Sequence, residues 1–321
     1  MTDVPLADGP EFDRVRAIAA TLGPQATGLG DDCAVMELGG EFLVVSTDVS
    51  VEGVHFRREW LSAEEIGWRA TAAALSDIAA EGARPIGVLA AVSVPRDAPP
   101  SETSDIMRGV GGAAAGVGAV VLGGDLAGGA VRSVAVTALG RTNRPVSRAG
   151  ARPGDGVWVT GALGAARAAL DAFQAGRNPG PAAREAFMRP PSRHAAGIWL
   201  ATHGAHAMLD LSDGLGADAA HLAAASGVAL AIDLERTPVA GAAAAAAVAD
   251  GVEAVLYAAS GGEDYELLVA LPSEFEDGGA VEFEKATGLA ITRIGEVRAG
   301  RGVRFRLRGQ RVAIEGFDHF R

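Results

Sequence analysis

Carboxylates set beside glycine or small polar residues recur along the chain at the borders of apolar, strand-like runs. The clusters are Gly30-Asp31-Asp32, Ser46-Thr47-Asp48, Gly123-Gly124-Asp125, Asp210-Leu211-Ser212-Asp213-Gly214 and Gly261-Gly262-Glu263-Asp264. This repetition constrains the fold more than any composition figure. It calls for several strands whose ends converge on one place. Glycine beside a carboxylate lets the backbone turn sharply or approach a ligand closely. Hard divalent cations such as Mg²⁺ take carboxylate oxygens, water and substrate phosphates as ligands. Any one cluster alone is an ordinary Gly-Asp turn; the argument rests on the series.

Lys285 is the single lysine in 321 residues, so nearly all positive charge is arginine. A phosphate-binding G-x-x-x-x-G-K-[ST] loop is therefore excluded. A polyphosphate ligand would have to be met by metal ions, arginine and backbone amides. The formal net charge of −12 argues against nucleic-acid binding, which needs a basic footprint. It also repels free phosphates, so cations must stand between such a protein and an anionic ligand. Lysine depletion beside abundant Ala, Gly and Arg has the look of a genome-wide bias, which lowers the weight of any one arginine. Cys33 is the only cysteine, so neither an intramolecular disulfide nor a cysteine metal cluster can form; a small buried residue is expected there. The segment 161–166 has the wrong glycine spacing for a dinucleotide fingerprint, and neither H-E-x-x-H nor a hydrolase signature occurs. Met1 to Asp13 has no basic-then-apolar leader pattern. The low-polarity stretches Gly109 to Gly124 and Val239 to Val248 are too short to span a bilayer. A cytoplasmic protein with no membrane partner is expected.

With 49% hydrophobic and 21% charged residues, the chain reads as soluble and globular. Strands are expected at Phe42–Ser46, Pro85–Val94, Ala119–Leu122, Val131–Leu139, Gly156–Thr160, Ala207–Leu211, Val228–Ile232, Tyr265–Ala270, Ala290–Val297 and Val303–Leu307. Helices are expected at Ala63–Ala80, Ser101–Gly116, Gly164–Ala175, Arg193–Thr202, Leu215–Ser226 and Ala280–Gly288. This mixture implies an α+β (mixed α/β) fold. Prolines and glycines between Arg144 and Asp155 mark a boundary, giving an N-terminal domain over 1–147 and a C-terminal α/β domain over 148–321.

Read in order, the motifs are Gly28-Leu-Gly-Asp-Asp-Cys-Ala-Val35, Ser46-Thr-Asp-Val-Ser-Val-Glu-Gly-Val-His-Phe56 and Leu75-Ser-Asp-Ile-Ala-Ala-Glu-Gly-Ala83. Then follow Gly123-Gly-Asp125, Arg148-Ala-Gly-Ala-Arg-Pro-Gly-Asp155, Asp210-Leu-Ser-Asp-Gly-Leu215, Ser260-Gly-Gly-Glu-Asp-Tyr-Glu-Leu267 and Gly316-Phe-Asp-His-Phe320. This series closely resembles the thiamine-monophosphate kinase family of the aminoimidazole ribonucleotide synthetase superfamily, from about residue 10 onward. The Gly-Asp-Asp and Gly-Gly-Asp pieces are superfamily-wide. Glu-Gly-Val-His-Phe and Gly-Gly-Glu-Asp-Tyr-Glu-Leu are far more specific. A selenophosphate synthetase would carry a cysteine or selenocysteine and a lysine before Gly28, where this chain has neither.

The resemblance implies a two-domain fold whose N-terminal domain pairs in a homodimer while the C-terminal domain closes over the cleft. It implies ATP-dependent phosphorylation of thiamine monophosphate with several Mg²⁺ ions, and no general base. It further implies metal binding by Asp31, Thr47, Asp48, Asp77, Asp125, Asp210 and Asp213, with Asp32 and Ser46 alongside. Gly124, Asp125, Arg148 and Ser212 would meet the nucleotide; His55, Glu263 and Phe317 would meet the thiamine phosphate. Blander alternatives stand beside these roles. Asp31 and Asp32 read equally as a solvated turn, Asp77 as a helix-end acid, and Ser212 or Asp213 as a helix cap. Arg148 could brace the linker, His55 could be a packed core residue, and Phe317 a terminal anchor in the core. Ile106-Met107 stands where the family often has an aromatic residue, Cys33 where alanine is usual, and Val49-Ser50 where Thr/Met-Leu is typical.

Overall fold

The computed structural model describes residues 5–26, 28–317 and 320. The first four residues of the N-terminal stretch, and Asp318 and His319 of the last motif, lie outside the described residues. The first part of the chain runs α1 (Pro10–Leu22), β1 (Ala34–Leu38), β2 (Glu41–Val51), α2 (Ala63–Ala80), β3 (Arg84–Pro95), α3 (Pro100–Gly116), β4 (Val120–Gly129) and β5 (Ser133–Thr142). These strands form a five-stranded sheet in the order β1-β2-β5-β3-β4, antiparallel except where β3 and β4 pair in parallel.

The second part runs β6 (Gly156–Thr160), α4 (Ala165–Gln174), α5 (Pro181–Met188), α6 (His194–Thr202), β7 (Ala207–Asp210), α7 (Leu215–Ser226) and β8 (Ala229–Asp233). It continues through α8 (Gly241–Asp250), α9 (Ala254–Ala259), β9 (Leu267–Leu271), α10 (Gly279–Thr287), β10 (Ile291–Arg298), β11 (Gly302–Leu307) and β12 (Gln310–Val312). Its seven-stranded sheet has the order β12-β11-β8-β10-β6-β9-β7. The expected mixed α/β architecture is present, with the change of sheet between Thr142 and Gly156.

Helix α2 organises the molecule. A capping box starts it: the Ser62 hydroxyl accepts from Glu65 N–H while the Glu65 carboxylate accepts from Ser62 N–H. Thirteen of its residues are buried, because the first sheet, α3 and α6 surround it. Three glycines permit this crowding. A Cβ on Gly67 would sit 1.9 Å from the Ile106 carbonyl oxygen, and one on Gly109 would sit 1.9 Å from that of Glu64. A Cβ on Gly197 of α6 would likewise meet the Ala79 carbonyl at 1.9 Å. Backbone packs directly on backbone at both helix crossings.

Several elements depart from the expectation. Helices α1, α5, α8 and α9 and strands β1 and β12 stand where no element was expected. Helix α1 buries no residue, and α8 is almost pure alanine, the best helix former but one without a readable stripe. More consequential, two acidic clusters lie inside strands rather than at their ends. Ser46-Thr47-Asp48 falls within β2, and Gly123-Gly124-Asp125 within β4. Strand alternation therefore splits each cluster between two faces.

Candidate active site

The loop after β7 and the loop before β9 are interlocked. Glu263 N–H donates to the Ser212 carbonyl at 2.7 Å, Tyr265 N–H to that of Leu211 at 2.9 Å, and Leu211 N–H to that of Glu266 at 2.8 Å. Gly262 has no room for a side chain, since its Cβ would lie 2.5 Å from the Ser212 carbonyl oxygen. Phe317 N–H then donates to the Asp213 carbonyl at 3.0 Å, laying the C-terminal segment along the same loop. These contacts build one side of a cavity of about 600 Å³; the opposite side comes from β2, the turn after it, and α2.

Asp48, Asp77, Asp210, Asp213, Ser212, His55, Glu263 and Phe317 all line that cavity. Two of these, Asp77 and Asp210, stand beside Asp32, and ligand oxygens of the three lie within 4.8 Å of one another. Ser46 donates its hydroxyl to Asp77. Burial raises the Asp77 carboxyl well above its usual range, reinforced by the charges of Asp210, Asp32 and Asp48. Burial and the Asp32 charge likewise lift Asp210 to about 7. Asp32 is raised chiefly by burial, against the pull of Arg148, and its Oδ2 is buried with no hydrogen-bond partner. A triad of mutually repelling carboxylates, one with a buried and unsatisfied oxygen, fits a hard divalent cation. Asp213 forms a second such group with Asp218 and His221, their ligand atoms also within 4.8 Å. Asp77 is thus half-buried and faces the cavity, rather than being a solvated helix-end acid.

His55 sits in a tight turn where its Nδ1 accepts from Val51 N–H at 3.1 Å. That bond places the proton of the neutral imidazole on Nε2. Phe317 is 54% exposed and lines the cavity, so it does not anchor the core as the blander alternative supposed.

Other expected residues lie apart from the cavity. Arg148 donates from its backbone N–H to Asp31 Oδ1 at 3.0 Å and from its guanidinium to Asp32. Arg148 therefore braces the Asp31-Asp32 pair, which is no solvated turn. The Thr47 hydroxyl meets that of Thr137 at 2.9 Å, on the sheet face opposite Ser46 and Asp48. Gly124 and Asp125 lie on edge strand β4. The register Asp125–Ala91–Ala135–Val49 sets Asp125 three strands from β2, about 14 Å at the usual strand spacing.

Three cavity features went unread in the sequence. Arg167, in the first turn of α4, donates to the Tyr257 carbonyl at 2.7 Å and to the Ser260 hydroxyl at 2.6 Å. Asp171 accepts from the Tyr257 hydroxyl at 2.6 Å. Arg69 of α2 pairs with Glu263. Arg69, Ala73 and Asp77 follow an i, i+4, i+8 stripe, a signal that an alanine-rich helix blurs.

The fold and site together define an acid-lined member of the AIR synthase superfamily. The family model "AIR synthase related protein, N-terminal domain" matches residues 30–142, and its C-terminal counterpart matches 152–308. The chain is 34% identical to a thiamine-monophosphate kinase of Aquifex aeolicus, covering 97% of this chain and 98% of the relative. It is 38% identical to one of Halobacterium salinarum over 95% and 99%. A solved structure of AaThiL complexed with AMPPCP and TMP superposes with a TM-score of 0.86 at 34% identity, over 97% of each chain. The chain belongs to the thiamine-monophosphate kinase family.

Proposed function

We propose that the chain transfers the γ-phosphoryl group of ATP directly to thiamine monophosphate, giving thiamine diphosphate and ADP, the last step in forming that diphosphate. The observation that carries this reading is one cavity joining the Asp32–Asp77–Asp210 triad to His55, Glu263 and Phe317. The family relatives carry the same activity in their names, and one was solved with AMPPCP and TMP.

The acceptor is itself a phosphate, with a second pKa of about 6, so it arrives largely ionised. A general base is unnecessary, unlike in a kinase acting on a hydroxyl. The obstacle is bringing two anions together in an acidic cavity. Asp32, Asp77 and Asp210, with Ser46, Asp48 and Asp213 beside them, would hold Mg²⁺, which when bound neutralises phosphate charge and aligns donor with acceptor. His55 presents Nε2–H to the acceptor phosphate. Glu263 and the Phe317 ring face its cationic thiazolium, the ring by cation–π attraction. Ser212 meets the nucleotide beside the N-terminus of α7, which favours anions. Arg148 first holds Asp31 and Asp32 side by side, and reaches the nucleotide when those contacts exchange.

Gly124, Asp125 and Thr47 fit the same reading in a homodimer. Strand β4 is an edge with Val120, Leu122 and Leu126 at 57%, 53% and 63% exposure, an apolar strip suited to a second copy. Asp125 lies too far from Asp48 in one chain to share an ion, so the second copy supplies it. We place the boundary between the pairing and closing domains at 147/148. Among the described residues no helix is long and apolar enough to cross a membrane, and the proposed setting is cytoplasmic.

Incubation with ATP, Mg²⁺ and thiamine monophosphate, followed by chromatography, tests the reading. Thiamine diphosphate is expected, and free thiamine should remain unchanged. Efficient phosphorylation of free thiamine would overturn it.

A further inference from the structure

Glu263 reaches the cavity from a backbone conformation that glutamate rarely adopts, with φ at 67°, and Tyr265 follows at 51°. The main-chain bonds to Ser212 and Leu211 fix this loop but leave the Glu263 carboxylate to be oriented by other means. Arg69 meets it from α2. Arg69 is only 3% exposed. It also donates to the Phe187 carbonyl at the end of α5, and its guanidinium carbon lies 3.9 Å from the Phe187 ring centroid. The guanidinium is thus clamped from behind while it faces Glu263, whose side chain stays 25% exposed on the cavity wall.

We propose that Arg69 is the positioning residue for Glu263, fixing its carboxylate in one rotamer against the cationic thiazolium of the acceptor. The inference rests on the acceptor assignment given above. A buried arginine paired with a left-handed glutamate serves poorly as mere scaffolding, because a buried ion pair gives weak net stability. It serves well as a device that holds one charge in place. A lysine could satisfy either Phe187 or Glu263 but lacks the planar fork that reaches both.

The test is steady-state kinetics on the full chain with Arg69→Gln, Glu263→Gln and the double variant, beside melting curves. Arg69→Gln should raise the KM for thiamine monophosphate about 10-fold or more and leave that for ATP within about twofold. The double variant should be no worse than Glu263→Gln alone, and Arg69→Lys should recover part of the loss. Additive effects in the cycle, or a lower melting temperature with both KM values unchanged, would overturn the proposal. If Arg69→Gln fails to fold, Arg69→Lys supports the same comparison: its acceptor KM must rise with Glu263 present and not with Glu263→Gln. An active wild-type enzyme with no such split overturns the role of Arg69 alone. Wild-type protein that never phosphorylates thiamine monophosphate overturns the acceptor assignment and this inference with it.

Discussion

Ser46, in the middle of β2, donates its hydroxyl to the Asp77 carboxylate on α2 and so ties a strand to the helix that faces it. The bond works against the burial and neighbouring charge that raise Asp77, and it aims that carboxylate toward Asp32 and Asp210.

Ser46→Ala should therefore weaken metal binding without unfolding the chain. Supporting contacts to metal ligands are worth about 10- to 100-fold in affinity. A Mg²⁺ titration of the reaction rate should show a requirement raised within that range. An unchanged titration would mean that Asp77 needs no orienting partner.

The acid triad also predicts an unusual pH response. Asp210 is raised to about 7 in the folded chain from its ordinary value of 3.8, so the folded state binds more protons between those values. Stability of the metal-free protein should then be fullest below about pH 4 as regards this group and fall as pH rises toward 7. Asp77 and Asp32 shift in the same direction. Melting curves in a chelator should show the decline, and Mg²⁺ should raise the melting temperature more at pH 8 than at pH 5. A Mg²⁺ effect that ignores pH would argue against these carboxylates as its site.

His55→Ala should raise the KM for thiamine monophosphate with little change for ATP. With Nδ1 accepting the Val51 N–H, Nε2 is the ring nitrogen left to donate to the substrate. A neutral hydrogen bond is worth about 0.5–1.5 kcal/mol, or about 2- to 10-fold. Kinetics with each substrate varied in turn, beside a melting curve, check the split. Lost stability with both KM values unchanged would make His55 a packing residue.

Asp48→Asn and Asp125→Asn should each abolish turnover at ordinary Mg²⁺. If one copy supplies Asp48 and the other Asp125, mixing the two inactive variants under subunit exchange should restore activity. Random pairing makes half the dimers mixed, each with one intact site, so about a quarter of wild-type activity is expected. No recovery, despite demonstrated exchange, would place both carboxylates in one chain's site.

Gly67→Ala or Gly109→Ala should be severely destabilising, because each Cβ would lie 1.9 Å from a backbone carbonyl oxygen in the facing helix. Backbone cannot move aside as a flexible side chain can. A melting temperature close to that of the wild type would show that the crossing of α2 and α3 tolerates separation.

Where the chain punctuates itself, the sequence was readable. Gly30-Asp31-Asp32, the Asp210 to Gly214 turn and the Gly261 to Asp264 turn all border strands as expected. Most strands of branched apolar residues lie within about three residues of the expected limits, but β2 runs on to Val51 and β4 to Gly129, past the expected Ser46 and Leu122. The alanine-rich helix α8, which offers no periodic apolar face, and the peripheral α1, whose Phe12, Val15 and Ala19 are only half-buried, were not expected. Asp77 could be named only through the ordered motif series, and Arg69, Arg167 and Asp171 not at all. Nothing in an alanine-rich helix says which of its sides a second sheet will cover.

By itself the sequence determined the chemistry available: many carboxylates, one lysine, no catalytic thiol cluster, and a motif order specific enough to indicate the family. Tertiary structure decided which carboxylates share a site. Alternation along β2 turns Ser46 and Asp48 inward and Thr47 outward, and sheet order carries Asp125 three strands away. Arg148 is held by Asp31 and Asp32, while Arg69 holds Glu263. The reason is physical. Residue type fixes what a side chain can bind, but face, register and packing between distant segments fix what it can reach.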